Sequence, residues 1–129
     1  MRQIGFVGLG AMGSVMAPLL ARAGFSVFGF DTAPQRSDLA DVTYVNSLTD
    51  MVACDTIITM LPDGSVVAAV ATTLAKAGFH GLVIDMSSSH PDDTIRLGAT
   101  LATQDIRLID APVSGGVKNA AIGELMVMV

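Results

Sequence analysis

A glycine-rich segment near the start of the chain constrains the fold more than any other feature. The letters GFVGLGAMGSVM place Gly8, Gly10 and Gly13 in a G-x-G-x-x-G pattern. The pattern alone is weak, but here it follows a predicted strand at 3–7 and opens a predicted helix at 11–23. Gly8 permits a tight turn, Gly10 lets the backbone approach a ligand, and Gly13 lets the helix pack closely on the strand. The chain therefore begins with a strand, a tight turn and a helix.

Apolar runs of strand length alternate with segments of helical period along the rest of the chain. Predicted strands lie at 3–7, 26–31, 43–45, 56–61, 82–85, 107–111 and 125–129. Predicted helices lie at 11–23, near 35–40, and at 48–52, 64–76, 91–103 and 117–122. This alternation predicts one α/β domain over residues 1–129, a doubly wound and mostly parallel sheet of the Rossmann kind with right-handed crossovers. The strand at 125–129 is expected to be the last strand of that sheet.

Local signals mark several helix ends. Ser89 to Asp92, with Pro91 just inside, predicts a helix start with a capping pair. Asp63 is expected to cap the helix that follows it. Pro18 lies inside the first predicted helix, where an interior proline costs about 3 kcal/mol. We therefore expect either a kink at Pro18 or a helix packed well enough to tolerate it.

Composition and charge exclude several classes of partner and site. Hydrophobic residues make up 51% and charged residues 15% of the chain, and the net charge of −5 comes with no basic run, which argues against nucleic acid. The uncharged stretch at 3–21 contains four glycines and Pro18, so it is predicted as strand, turn and helix rather than a membrane span. The single Cys54 excludes an internal disulfide and favours a reducing compartment, so a cytoplasmic location is expected. The two histidines, His80 and His90, lack metal-ligand spacing, and no metal site is expected.

Asp31 makes the interpretation of the glycine turn more specific. It ends the second predicted strand, 18 residues after Gly13. A carboxylate in this place accepts hydrogen bonds from adenine ribose hydroxyls and repels a 2′-phosphate, while the helix N-terminus binds a pyrophosphate. Thr32 follows, and the nearest basic residue, Arg36, comes four positions later. The pattern predicts a dinucleotide site that takes NAD rather than NADP; the alternative is a structural turn beside a surface aspartate.

Residues after the fourth and fifth predicted strands are further candidates, because ligands of such sheets lie beyond the carboxyl ends of the strands. Pro62 has no N–H to satisfy and is suited to form an apolar wall beside a sugar or a ring. Ser87 and Ser89 fit two interpretations equally well. Their hydroxyls could bind a ribose or a carboxamide, or they could start the next helix.

Four segments together resemble the β-hydroxyacid dehydrogenases, the family of 3-hydroxyisobutyrate dehydrogenase, tartronate semialdehyde reductase and L-threonate dehydrogenase, to which 6-phosphogluconate dehydrogenase is related. In chain order they are GFVGLGAMGSVMAPLLARAG, TMLPDGSVV, VIDMSS and DAPVSGGVKNAAIGEL. The first is shared in part with other dinucleotide-binding domains, and the last is the most specific. The resemblance extends over essentially all 129 residues.

The resemblance implies cofactor contacts for individual residues. The ADP half would be held by the glycine turn and the end of the second strand, at Gly8, Leu9, Gly10, Ala11, Met12, Gly13, Asp31 and Thr32. Leu61 and Pro62, with Val66 nearby, would line the ribose on the nicotinamide side. Ser88 stands where the family usually has threonine and would contact the cofactor through its hydroxyl.

The resemblance also implies a substrate site in the segment DAPVSGG. Ser114, Gly115 and Gly116 would bind the carboxylate of a small substrate. Physical chemistry is consistent with this role, because exposed N–H groups and a hydroxyl at the start of a short helix form an anion site.

Members of the family are NAD-dependent oxidoreductases of 3-hydroxy acids or their semialdehydes, and a homodimer or tetramer is expected for the whole protein. Their chains are more than twice as long, and an all-helical domain supplies the catalytic lysine. We therefore expect these 129 residues to be the NAD-binding half, to hold no catalytic residue and to bind cofactor without turnover. The alternative is a non-catalytic dinucleotide-binding module or a truncated product.

Overall fold

A parallel sheet of six strands forms the centre of the computed structural model, which describes residues 2–32, 39, 41–114, 123 and 126–127. The strands are β1 (Gln3–Val7), β2 (Ser26–Phe30), β3 (Val42–Tyr44), β4 (Thr56–Thr59), β5 (Leu82–Asp85) and β6 (Arg107–Asp110). Their order is β3-β2-β1-β4-β5-β6, and all neighbours are parallel. This order is that of the Rossmann fold and confirms the predicted doubly wound α/β class.

Helices cover both faces of the sheet. They are α1 (Gly13–Arg22), α2 (Gly64–Lys76) and α3 (Pro91–Ala102), with a 3-10 helix at Leu48–Met51. Successive residues of a strand point to opposite faces. In β4, Ile57 packs in the core that includes residues of α2 and α3, and Ile58 packs in the core that includes residues of α1. The strands are therefore apolar on both sides, as the low charge content indicates.

The winding direction of the chain reverses between β1 and β4. From β1 the chain passes through α1 to β2, and from β4 it passes through α2 and α3 to β5 and β6 on the other side. The helix that follows β1 and the helix that follows β4 lie on opposite faces of the sheet. The loops after these two strands therefore diverge at the carboxyl edge of the sheet. Open sheets of this kind bind their ligands at such a switch point.

Most predicted element boundaries agree with the structure within two residues. The helix α1 begins at Gly13 rather than at 11, because residues 11 and 12 still belong to the turn. It continues through Pro18, which is buried, to Arg22. The proline is therefore accommodated inside a continuous helix. The segment predicted as a helix at 48–52 is a 3-10 helix over Leu48–Met51.

The caps of α2 and α3 differ in how well the sequence predicted them. Asp63 caps α2 as predicted, and its carboxylate accepts hydrogen bonds from two backbone N–H groups of the first turn. The predicted cap of α3 was wrong. His90, not Ser89, is its N-cap, and His90 Nδ1 accepts the N–H of Asp92 at 3.2 Å. The Ser89 hydroxyl instead donates to Asp85.

The strand predicted at 125–129 does not join the parallel sheet. Its described part, β8 (Met126–Val127), pairs antiparallel with a short strand that the sequence did not predict, β7 (Val113–Ser114), in a separate two-stranded sheet. Pro112 follows β6 closely and has no N–H for a ladder, which favours a change of direction there. The helix predicted at 117–122, and the one near 35–40 apart from Leu39, lie outside the described residues.

A side chain at Gly13 is predicted to destabilise the fold. A Cβ built there would collide with the carbonyl oxygen of Gly8 and lie 3.0 Å from Phe6 Cε1. We expect Gly13→Ala to lower the free energy of unfolding by about 1–3 kcal/mol, measured by urea denaturation. Gly10→Ala is the matched control, because no heavy atom lies within 4 Å of a Cβ at Gly10. Equal stability of the two variants would contradict this packing argument.

Candidate functional site

A cleft of about 520 Å³ opens at the carboxyl ends of β1, β2 and β4, within the size range of small-molecule sites. It lies at the switch point of the sheet. Its lining includes residues from the glycine turn, from the end of β2 and from the loop after β4: Val7, Gly8, Gly10, Ala11, Met12, Gly13, Phe30, Asp31, Thr32, Met60, Leu61, Pro62, Val66 and Val70. The structure thus brings ten of the sequence-predicted site residues together around one cleft. Leu9 is buried behind it.

The structure explains the glycine at each of the three positions of the turn in a different way. Gly8 has φ +103°, and a Cβ there would collide with the carbonyl oxygen of Met60. Gly13 touches the Gly8 carbonyl, which holds α1 close to the sheet. Gly10 is exposed, lines the cleft and faces open space. Packing explains Gly8 and Gly13, whereas at Gly10 the absent side chain leaves room in the cleft.

The N-terminus of α1 faces the same cleft. Met12 is its N-cap and makes no side-chain capping hydrogen bond, and its first turn contains no acidic residue. Such a helix start offers backbone N–H groups and the positive end of the helix dipole to an anion. Ser14 N–H donates to the Gly10 carbonyl at 2.9 Å, which fixes the turn to the helix.

Asp31 has a structural contact that the sequence did not predict. The N–H of Leu9 donates to Asp31 Oδ2 at 2.6 Å, and the N–H of Gly8 donates to the carbonyl of Phe30 at 3.0 Å. The end of β2 therefore fixes the glycine turn that follows β1. Asp31 and Thr32 both line the cleft, so the predicted contact with a ribose remains a prediction at a suitable place.

A buried polar cluster lies under the other wall of the cleft. Asp85, the last residue of β5, is 2% exposed, and its carboxylate accepts hydrogen bonds from Thr59 Oγ1 at 2.9 Å, Ser87 N at 3.0 Å and Ser89 Oγ at 2.8 Å. Ser87 Oγ in turn accepts the N–H of Leu61 at 2.8 Å. Neither Ser87 nor Ser89 starts α3, and both hydroxyls are used inside the protein. In the sequence, the sign of this cluster is an apolar strand that ends in an acid, Asp85. The structure places that acid in register with Thr59 of β4.

Asp110 lies beside this cluster without sharing its donors. It is in register with Asp85 across β5 and β6. Its Oδ1 is buried and has no hydrogen-bond partner. Desolvation by burial, and then the charge of Asp85, raise the pKa of the Asp110 carboxyl above its usual value of 3.8. The sequence did not single out this residue, although it begins the segment DAPVSGG.

The remaining sequence-predicted residues are not brought to the cleft by the described part of the chain. Ser88 is exposed and Ser114 is exposed at the end of β7, and neither lines the cleft. Gly115 and Gly116 lie outside the described residues. Their roles stay predictions.

Two further observations concern only the residues that the structure describes. None of their helices combines the length and the apolar character needed to cross a membrane. Within the same residues, no three histidine, cysteine, aspartate or glutamate side chains are grouped so that they could hold a metal ion.

Replacing Asp110 by asparagine is predicted to stabilise the protein increasingly as the pH rises. Because the pKa of Asp110 is raised in the folded state, its protonated form favours folding, and this contribution is lost as pH rises through that pKa. An asparagine side chain at this position cannot ionise. We expect wild type and Asp110→Asn to differ least below about pH 4 and the variant to be the more stable at pH 7, measured as urea midpoints between pH 3.5 and 7.5. A difference that does not change with pH would contradict the assigned cause.

Comparisons with known proteins extend over nearly the whole chain. The family model described as the NAD binding domain of 6-phosphogluconate dehydrogenase matches residues 3–129. A probable 3-hydroxyisobutyrate dehydrogenase of Mycobacterium tuberculosis is 42% identical over 100% of this chain and 46% of its own length. An NAD-dependent L-serine dehydrogenase of Pseudomonas aeruginosa is 34% identical over 100% of this chain and 46% of its own length.

A solved structure agrees with these sequence matches. The structure of Mycobacterium tuberculosis 3-hydroxyisobutyrate dehydrogenase with L-serine is 39% identical, with a TM-score of 0.93 over 99% of this chain and 46% of that chain. The chain therefore spans about half the length of the relatives that it matches.

Proposed function

Because the chain belongs to the family of the NAD-binding domain of 6-phosphogluconate dehydrogenase, we propose that its cleft binds NAD and serves the oxidation of a small 3-hydroxy acid, or reduction of the matching semialdehyde. The observation that carries the proposal is the meeting of two sequence segments at one switch-point cleft. The glycine turn lies on one side, and Leu61 and Pro62 lie on the other.

The two sides of the cleft suit different halves of a dinucleotide. On the first side, the space at Gly10 and the uncapped start of α1 suit a pyrophosphate. Asp31 and Thr32, beyond the end of β2, suit the adenine ribose. On the second side, Leu61, Pro62 and Val66 give an apolar wall for the nicotinamide end.

Asp31 favours NAD over NADP. Its carboxylate is fixed at the cleft by the Leu9 N–H, so it cannot move far from a ribose bound there. A 2′-phosphate would place negative charge beside this carboxylate, which is unfavourable. The name of the L-serine dehydrogenase relative, which specifies NAD, is consistent with this assignment.

The proposed substrate is a small carboxylate. The relatives are named as dehydrogenases of 3-hydroxyisobutyrate and of L-serine, both small acids with a hydroxyl group. Ser114, with Gly115 and Gly116, is proposed to bind the carboxylate. Bound NAD would accept a hydride from the carbon that bears the hydroxyl. By resemblance to the family, the hydroxyl proton would pass to a lysine of the helical domain, and the 129 residues alone would bind NAD without turning over substrate.

The choice of cofactor is testable by titration. We expect NADH to bind at least about tenfold more tightly than NADPH, because a charge opposed at the ribose costs on the order of 1 kcal/mol or more. Fluorescence titration with both cofactors measures this. In Asp31→Asn, which keeps the side-chain shape and loses the charge, the preference should shrink. Equal affinity of the wild-type protein for both cofactors would contradict the proposal.

The pyrophosphate position is testable at Gly10. We expect Gly10→Ala to weaken NADH binding by about tenfold, since a methyl group would occupy space that the phosphates need, while its urea midpoint stays close to that of wild type. Isothermal titration calorimetry and denaturation of the same samples give both values. If Gly10→Ala bound NADH as well as wild type does, the pyrophosphate could not lie against this turn.

A further inference from the structure

The loop after β4 is held by a side chain rather than by the sheet. β4 ends at Thr59, and Met60 N–H still donates to the Val7 carbonyl of β1 at 2.9 Å. Leu61, the next residue, donates its N–H to Ser87 Oγ at 2.8 Å. Ser87 therefore takes the place of a strand partner just where the chain leaves the sheet and becomes a wall of the cleft.

Ser87 is itself fixed by Asp85. Ser87 is fully buried, its N–H donates to Asp85 Oδ1 at 3.0 Å, and its hydroxyl lies 3.5 Å from the Thr59 carbonyl. Asp85 is also buried and is held by Thr59 and Ser89. A buried carboxylate that accepts several hydrogen bonds has little freedom to move, because each lost bond leaves a buried polar group unsatisfied. The position of Leu61 thus depends on β5 through two buried side chains.

The position of Leu61 in turn sets one dimension of the cleft. Leu61 Cδ2 lies 3.1 Å from the point that a Cβ at Gly8 would occupy, so Leu61 already packs tightly against the glycine turn. Pro62 follows directly and also lines the cleft. A shift of the Leu61 backbone would move both of these residues, whereas Asp31 and Gly10 line the cleft from the end of β2 and from the glycine turn.

We propose that Asp85 and Ser87 are positioning residues that set the nicotinamide-side wall through the Leu61 N–H, so that they control affinity for the nicotinamide half of the cofactor and not for its ADP half. The inference rests on the proposed dinucleotide site. It differs from that proposal because neither residue lines the cleft.

The test compares binding of NADH with binding of ADP, which lacks the nicotinamide ribose and ring. We expect Ser87→Ala to weaken NADH binding about tenfold, as expected for the loss of one hydrogen bond to a partly buried backbone N–H, and to change ADP binding less than about twofold. Isothermal titration calorimetry with each ligand measures the two changes in affinity. A merely structural defect would weaken both.

Ser89→Ala is the matched control. It removes the hydroxyl that donates to Asp85 Oδ2, whereas Thr59 Oγ1 and the Ser87 N–H still donate to Oδ1 and the bond from Leu61 to Ser87 is kept. It should leave both affinities within about twofold of wild type. Ser87→Cys, whose thiol is a weaker acceptor of similar shape, should give an intermediate NADH affinity and keeps the test valid if Ser87→Ala folds poorly.

The outcomes separate the two proposals. If wild type binds neither NADH nor ADP, the dinucleotide site is wrong and this inference fails with it. If wild type binds both, equal losses for the two ligands in Ser87→Ala, no loss at all, or the same split in Ser89→Ala would overturn the positioning role alone.

Discussion

The structure depends on how closely the turn after β1 approaches the backbone at the end of β4. Gly8 lies against the Met60 carbonyl, and Gly13 lies against the Gly8 carbonyl, with no space for a Cβ at either. These two contacts bring the start of α1 directly over the carboxyl edge of the sheet. Any larger residue would push the helix start, with the positive end of its dipole, away from the switch point.

The loops on the two sides of the switch point are fixed by the same kind of hydrogen bond. The end of an outer strand supplies an acceptor for the loop of its inner neighbour: Asp31, after β2, accepts the N–H of Leu9, and Ser87, after β5, accepts the N–H of Leu61. Both leucines are the second residue after their strands, beyond the regular ladder. The two loops that bound the cleft are thus fixed by the protein itself, which is expected of a site that is formed before its ligand binds.

The sequence predicted what local pattern determines and missed what depends on contacts between distant residues. The bounds of β1, α2 and β5 follow from apolar period and from the caps at their ends, and the structure confirms them. The glycine spacing and Asp31 likewise predicted residues that line one side of the cleft. The bond from Leu9 to Asp31 joins residues 22 apart in the chain, and that from Leu61 to Ser87 joins residues 26 apart. Only the sheet order makes them neighbours.

The cap of α3 and the fate of the last strand were missed for a related reason. Ser89 is a better helix starter than histidine by local preference, but Asp85 is buried and needs its hydroxyl. Satisfying a buried carboxylate outweighs an exposed cap, so the cap passes to His90. Similarly, β8 has a strand-like sequence, but whether it joins the parallel sheet or pairs with β7 depends on the path of the chain after β6, which no local pattern specifies.

Asp110 is an acid with a buried oxygen whose hydrogen-bonding capacity is not satisfied. Asp31 and Asp85, at the ends of β2 and β5, each receive a backbone N–H, whereas Asp110, at the end of β6, has a buried oxygen without a donor and lies beside Asp85. Burial and this neighbour raise the pKa of the Asp110 carboxyl, so its ionised form destabilises the fold. It is also the first residue of the segment proposed to bind the substrate carboxylate. Residues that are locally unfavourable for stability are expected most often at functional sites. Asp110 is such a residue, and it begins the segment that contains Ser114.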